Sequence, residues 1–366
     1  MLKNRCFTKS VKPENFWASI WSVKGHLMTD RKDDHIKLAL KSQTRAGAYQ
    51  DRFHYEPLFS SHEKALGNTK TLERKFLNKT VKAPLWISSM TGGGSLSGEL
   101  NRLFAEACSE FGLGMGLGSC RPVLENENSI ADFDVRSIIG SEQPLLSNIG
   151  HAQAEELVLK GEVERLEEMN QRLSCDGLIL HINPLQEWFQ PEGDRFKLSS
   201  IDLIEKLLDK IKTPLVVKEV GQGMGPRSLK ALVELSVAGI EFGAFGGTNF
   251  SKLEVLRTET GESGDDIDPL CLVGHTAEQM VEYLNEMIAN DSVSLPMIII
   301  SGGIQNYLHG HELMTKLKSD AMYAQAGMLL KYARESKESL FNYIKQQIDG
   351  LLMAEAYLEV QKESQS

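Results

Sequence analysis

The sequence predicts an α/β fold, a (β/α)8 TIM barrel with an N-terminal extension and a C-terminal helical tail. Short apolar runs recur along most of the chain, each the length of a strand and each ending in a polar or glycine cluster. Most are followed by a stretch with helical periodicity, and eight such alternations favour a closed parallel barrel. The predicted strands are 84–90, 114–118, 144–148, 177–183, 214–220, 239–245, 296–301 and 321–326.

Apolar residues between these runs recur at spacings of three and four, as at Leu203, Leu207 and Ile211. This spacing is typical of helices that rest on a barrel. The predicted helices are 31–40, 98–111, 152–173, 200–211, 226–237, 276–290 and 310–318, followed by a helical tail over 331–366. We expect 28–330 to form the barrel domain with its N-terminal helix, and 1–27 to be an extension, with Met28 as an alternative start.

Composition excludes several classes of function. The net charge is -10 and no basic stripe is present, so we expect no nucleic-acid partner. No apolar run approaches the roughly 20 residues that span a bilayer, so we expect no membrane segment. The 5 cysteines are scattered without CxxC spacing, which fits a cytoplasmic location better than a disulfide framework or a zinc site.

The densest group of side chains that could take part in binding or catalysis lies at the end of the fourth predicted strand. Strand alternation places His181 and Asn183 on one face, and Gln186 and Glu187 follow in the loop. In such barrels chemistry gathers at the carboxyl ends of the strands. We therefore expect these residues to bind substrate or a hard cation such as magnesium. The alternative is a core histidine and a surface acid.

Lys218, at the end of the fifth predicted strand, is expected to be a fixed cation at the barrel mouth or half of an ion pair with Glu219 or another acid. Glycine clusters at 246–247, 302–303 and 327 suggest loops that hold a phosphorylated ligand on backbone amides. Near the start of the first predicted helix, Arg31, Lys32 and His35 form either an anion-binding group or a solvated face.

Motifs in consistent order along 31–330 resemble the type 2 isopentenyl-diphosphate isomerases, which are flavin-dependent barrels. The most specific stretches are RKDDH at 31–35, ISSMTGG at 87–93, GS at 118–119 with Arg121, NIG at 148–150, HINPLQE at 181–187, QPEGD at 190–194, KEVG at 218–221, GGT at 246–248 and SGGI at 301–304.

This resemblance implies FMN at the barrel mouth, magnesium, and NADPH as flavin reductant. The residues implied for FMN are Met90, Thr91, Gly92, Ser119, Asn148, Lys218, Thr248, Gly302, Gly303 and Ala326, with Glu187 as the metal ligand. The residues implied for the substrate are Arg31, Lys32, His35, Ser119, Arg121, His181, Asn183 and Gln186. Of these, Gln186 and His181 are the implied catalytic residues, and the protein is expected to be a homo-oligomer, a tetramer or an octamer.

The implied reaction is a 1,3-proton shift between isopentenyl and dimethylallyl diphosphate, with reduced FMN as acid and base. Alternatives are an FMN-dependent oxidoreductase using His309 or His311, a dehydrogenase with Cys120 as nucleophile, and a catalytically silent flavin-binding homologue. The chain departs from the family pattern at Cys120, Asn249, Phe250, Gln305 and Gly327. The last two departures remove cations expected near the FMN phosphate.

Overall fold

The computed structural model describes residues 28–44, 47, 49–59, 72–90, 92–258, 268–291 and 293–361. The described residues up to Asp51 and those from Arg52 onward belong to two separate compact units. The first unit contains helix α1, Met28–Leu38, close to the predicted 31–40. Residues 1–27, predicted to be an extension, lie outside the described part, as do the side chains of Arg31 and Lys32.

The second unit is built on a closed barrel of eight parallel strands that pair in chain order, with the last strand pairing back to the first. The predicted fold class and all of its strands are therefore confirmed. The strands are β4 Leu85–Ile87, β5 Gly114–Gly116, β6 Leu145–Gly150, β7 Gly177–Ile182, β8 Leu215–Glu219, β9 Gly239–Glu241, β10 Met297–Ile300 and β11 Ala321–Gln325. Nearly every residue in these strands is buried, because the lumen is filled and helices cover the outside.

Helices follow the strands and pack their apolar faces on the barrel. They are α2 Ser95–Phe111, α3 Arg121–Glu125, α4 Arg136–Ile139, α5 His151–Lys160, α6 Glu164–Arg172, α7 Pro184–Phe189, α8 Ser200–Leu208, α9 Pro226–Val233, α10 Phe250–Thr258, α11 Ala277–Asp291, α12 Tyr307–Lys316, α13 Gly327–Glu335 and α14 Lys337–Tyr357. The single helix predicted over 152–173 is wrong. Gly161 adopts a left-handed conformation (φ 73°) and ends α5 before α6 begins.

A hairpin that the sequence analysis did not predict closes the amino-terminal end of the barrel. It consists of β2 Arg74–Phe76 and β3 Lys79–Val81, joined by a two-residue turn with positive φ at Leu77 and Asn78. Phe76 packs edge-on against Trp86 inside the barrel, with ring centroids 5.7 Å apart. The hairpin therefore covers the amino-terminal end of the barrel.

The tail differs from the prediction at its end. Helix α14 stops at Tyr357 and is followed by a strand, β12 Leu358–Val360, which pairs antiparallel with β1, Phe53–Tyr55. The remaining residues from 362 onward lie outside the described part. Among the helices that the structure describes, none has the length and hydropathy to span a bilayer.

Candidate active site

Four adjacent strands align a row of residues at the carboxyl end of the barrel. Strand register pairs Gly150 with His181, His181 with Lys218, and Lys218 with Glu241. Two positions earlier on their strands, Ile179 and Val216 belong to the apolar cluster inside the barrel, and alternation points His181 and Lys218 the same way. The polar row therefore lies in the lumen, directly above an apolar floor.

His181 is held in one tautomer. Its Nδ1 lies 2.7 Å from Oδ1 of Asn148, whose amide nitrogen donates to the Leu117 carbonyl. Because that Oδ1 only accepts, Nδ1 carries the hydrogen and Nε2 keeps its lone pair. Burial, with the nearby Lys218 and His151, lowers the pKa of His181 to about 3, so the imidazole is neutral. Gly150 leaves room for it: a Cβ there would lie 2.8 Å from Nε2.

Lys218 is 6% exposed, and its ammonium donates to the Glu219 carbonyl at 2.9 Å. A carboxylate oxygen of Glu241 lies 3.8 Å away and also accepts a hydrogen bond from the Ser88 hydroxyl. The sequence left two alternatives for Lys218, a cation at the barrel mouth or half of an ion pair. The structure shows both together, since the lysine lines the mouth and is paired with an acid. Its acid is Glu241, which the sequence analysis did not single out.

A cavity of about 300 Å³ opens beside Lys218. Of the residues predicted to bind FMN, it is lined by Met90, Lys218, Thr248, Gly302, Gly303 and Ala326. It is also lined by Gly246, Gly247 and Gly327, where α13 begins. Lys218 is the one cationic side chain among its described lining residues.

The glycines of this cavity expose backbone where a side chain would fill the space. Gly302 has φ 88°, and a Cβ there would lie 2.1 Å from the Ala244 carbonyl oxygen. A Cβ at Gly247 would lie 2.8 Å from the Gly303 nitrogen. Bare amides and a helix start facing one cavity are suited to holding a phosphate.

The loop after β7 joins the predicted substrate and metal residues in one hydrogen-bonded cluster. The Asn183 amide donates to Gln186 at 3.1 Å and to Glu187 at 3.0 Å. Glu187 is buried and its other oxygen accepts from the Asp194 backbone at 2.8 Å, so the surface-acid alternative is wrong. Gln186 in turn donates to Glu254 on α10. The buried Asn183 Oδ1 has no partner within the described protein.

Other predicted site residues lie away from the cavity lining. Ser119 and Gly92 meet each other, since a Cβ at Gly92 would lie 4.0 Å from the Ser119 carbonyl oxygen. Arg121 begins α3, pairs with Glu125 at 2.6 Å and leaves 53% of its side chain exposed. His35 is exposed on α1 in the N-terminal unit. Thr91 lies outside the described residues, as do the Arg31 and Lys32 side chains.

The residues on which the alternatives depended are placed unfavourably for those roles. Cys120 is fully buried, and burial raises the pKa of its thiol to about 12, which removes it as a thiolate nucleophile. His309 and His311 lie on α12 in the outer layer. His309 pairs with Glu278 at 2.9 Å and His311 stacks on Phe53.

The sequence analysis missed Ser88, Glu241 and Glu254. Ser88 and Glu241 stand inside predicted strands, whereas Glu254 lies on a helix, Phe250–Thr258, that the sequence analysis did not predict. Their roles depend on partners brought close by strand register and helix packing, which no local pattern reveals.

The chain is similar to curated proteins named isopentenyl-diphosphate delta-isomerase. It is 31% identical over 321 residues to that of Rickettsia felis, covering 87% of this chain and 88% of the relative. It is 32% identical over 339 residues to that of Pseudescherichia vulneris, covering 91% and 93%. No protein-family model matches the chain.

Solved structures of similar fold include the flavin-binding domain of baker's yeast flavocytochrome b2, at TM-score 0.57 and 14% identity, covering 84% of this chain and 72% of that one. A mandelate oxidase mutant with an FMN adduct matches at TM-score 0.53 and 12% identity, covering 85% and 88%. These likenesses show the barrel alone. Together with the sequence relatives they show that the chain is an enzyme of the isopentenyl-diphosphate delta-isomerase family, and its barrel fits the type 2 members.

Proposed function

We propose that the protein interconverts isopentenyl and dimethylallyl diphosphate by a 1,3-proton shift, with FMN in the cavity beside Lys218 and magnesium at Glu187. One observation carries the proposal: a glycine-lined cavity that contains one buried cation, Lys218, lies next to a group of polar side chains. These are His181, Asn183, Gln186 and Glu187. NADPH would serve only to reduce the flavin. We also propose a cytoplasmic homo-oligomer, a tetramer or an octamer.

The cavity residues fit FMN. Backbone amides of Gly302, Gly303 and the first turn of α13 would hold the phosphate, and Thr248 would offer a hydroxyl to the ribityl chain. Lys218 would stand beside the ring, where a cation favours a negatively charged ring system. Reduced FMN would supply both a proton donor and a proton acceptor at its N5 edge. The cavity would therefore hold the ring through Lys218 and the phosphate through backbone amides, since Gln305 and Gly327 bring no charge to the phosphate end.

The residues near Glu187 fit magnesium as a partner of the substrate diphosphate. No group of three or more His, Cys, Asp or Glu side chains suited to a metal occurs in the described part of the chain. Magnesium, however, is commonly bound through one or two carboxylates together with substrate phosphates. Glu187 supplies such a carboxylate, and the unpartnered Asn183 Oδ1 supplies a second oxygen.

The chain's own side chains would bind and orient the substrate around these groups. Arg121 and Ser119 would meet the diphosphate at the rim, together with His181. Gln186 would stand nearest the reacting carbons, held by Asn183 and Glu254. The apolar floor below His181 and Lys218 would keep water away from the hydrocarbon part of the substrate, where positive charge develops during the reaction.

The direct test is to purify the full chain, record its flavin spectrum with and without added FMN, and assay isomerisation after reduction with NADPH, with and without magnesium. Bound flavin with isomerisation of isopentenyl diphosphate supports the proposal. A protein that refuses FMN contradicts it, and flavin binding without isomerisation favours the silent flavin-binding homologue.

Glu187→Gln should reduce magnesium-dependent turnover at least about tenfold, because a charged metal ligand becomes neutral, while FMN affinity stays unchanged. Turnover is measured against magnesium concentration, and FMN affinity by quenching of flavin fluorescence. Glu156→Gln is the control, since Glu156 is an exposed acid on α5 that pairs with Lys160 on the same helix. Turnover equal to wild type at every magnesium concentration would remove Glu187 from the metal site.

Diphosphate binding should take up a proton at His181. Free His181 has a pKa of about 3 and is neutral with an accepting Nε2, so its ring can donate to an anion at Nε2 only if this nitrogen becomes protonated. The anion raises this pKa, and affinity therefore strengthens as pH falls. Calorimetry in buffers of different ionisation enthalpy, with inorganic diphosphate and magnesium, measures the uptake. His181→Asn should lose about one proton of it, and an unchanged uptake in this variant contradicts the assignment.

A further inference from the structure

We propose that Glu241 is the positioning residue that holds the Lys218 ammonium in place at the wall of the cavity. This inference rests on the proposed function, because it concerns the cation that would face the flavin ring. Glu241 contributes nothing to the cavity lining, is 0% exposed, and lies one strand away from Lys218 at the same register level.

The contacts of the pair are asymmetric. One oxygen of Glu241 accepts from the Ser88 hydroxyl and lies 3.8 Å from the lysine ammonium. Its other oxygen is buried without a hydrogen-bond partner in the described part of the protein. Ser88 and Lys218 both line the cavity, so the carboxylate reaches the site only through these two side chains.

The other titratable groups around Lys218 leave Glu241 as its ion-pair partner. The titratable groups around Lys218 are His181 on β7, Glu219 on its own strand, and Glu241 on β9. His181 is neutral, and one carboxylate oxygen of Glu219 already accepts hydrogen bonds from the backbone nitrogens of residues 221, 222 and 223. Glu241 is therefore the acid whose carboxylate pairs with the lysine inside the barrel.

The same geometry limits where the ammonium can go. Lys218 donates to the Glu219 carbonyl on one side and is drawn to Glu241 on the other. A long, flexible side chain is thus fixed against the wall of the cavity. A ring system placed there would meet a cation at a set position, without the entropy cost of ordering it on binding.

The test compares FMN affinity, measured by fluorescence quenching, and the absorption spectrum of the bound flavin at one fixed pH. Glu241→Gln keeps the shape of the side chain and removes its charge, so the ammonium is no longer held beside the ring. This variant should bind FMN at least about tenfold more weakly and should shift the visible absorption maximum of the bound flavin. Glu241→Asp keeps the carboxylate and should restore most of the affinity and the wild-type spectrum.

Glu312→Gln is the matched control. Glu312 is also buried and paired with Lys316 at 3.0 Å, but it lies on α12 and outside the cavity lining, so its variant should keep the wild-type affinity and spectrum. If Glu241→Gln weakens FMN binding without changing the spectrum of the bound flavin, or if Glu241→Asp restores neither, Glu241 has only a structural role and the inference is overturned. A wild-type protein that binds no FMN defeats the proposed function instead.

Glu241→Gln can also unfold the protein, because it leaves Lys218 unpaired. The double variant Lys218→Met with Glu241→Gln should then fold, as both charges are gone. Recovery of cooperative thermal unfolding in the double variant supports the pairing. A double variant as unstable as Glu241→Gln alone contradicts it.

Discussion

Gly302→Ala is expected to destabilise the protein by about 3 kcal/mol or more and to abolish flavin binding. At φ 88° a side chain is strained, and its Cβ would lie 2.1 Å from the Ala244 carbonyl oxygen and 2.3 Å from the Ala244 nitrogen. Both neighbours are backbone, so neither can move away without displacing the loop that forms the cavity. Urea denaturation measures the stability, and fluorescence quenching measures the flavin affinity.

Gly161→Ala separates the two causes. Gly161 has a similar φ of 73°, but a Cβ there would meet nothing within 4 Å. Gly161→Ala should lower the free energy of unfolding by only about 1 kcal/mol, because of the backbone conformation alone, and should bind flavin normally. Equal effects at both positions would mean that the close approach of Gly302 to Ala244 contributes nothing.

Lys218→Met should lower both FMN affinity and turnover at least about a hundredfold, because it removes the one cation among the described cavity-lining residues. It should also destabilise the fold by about 3 to 5 kcal/mol, since Glu241 is left buried and uncompensated. Adding Glu241→Gln should restore most of the stability but none of the affinity. Recovery of affinity in that double variant would show that the lysine charge is not used in binding.

The sequence determined much of the fold because its strands are buried on both faces. Runs such as 214–220 are apolar, short and bounded by turn residues. Because the strand ends of a closed parallel barrel converge, residues that end or follow the strands could be placed together at one end of the barrel, as His181 and Lys218 are in the structure.

Elements whose stability comes from distant contacts were not predictable. The strands Arg74–Phe76 and Lys79–Val81 are three residues each, with no run long enough to show a period. Glu241 stands in an apolar strand as an isolated acid, and only the register of β8 and β9 reveals Lys218 as its partner. Similarly, Glu254 lies on α10 and reaches Gln186 through packing of that helix on α7.

The pairing of β1 with β12 brings the two ends of the barrel unit side by side. Phe53 lies opposite Val360, and Tyr55 opposite Leu358, in a single antiparallel ladder. Neighbouring strands are only about 5 Å apart, so a short linker can join these ends. The unit is therefore suited to circular permutation, with new termini opened in an exposed connection such as that around Gly161, far along the chain from the original ones.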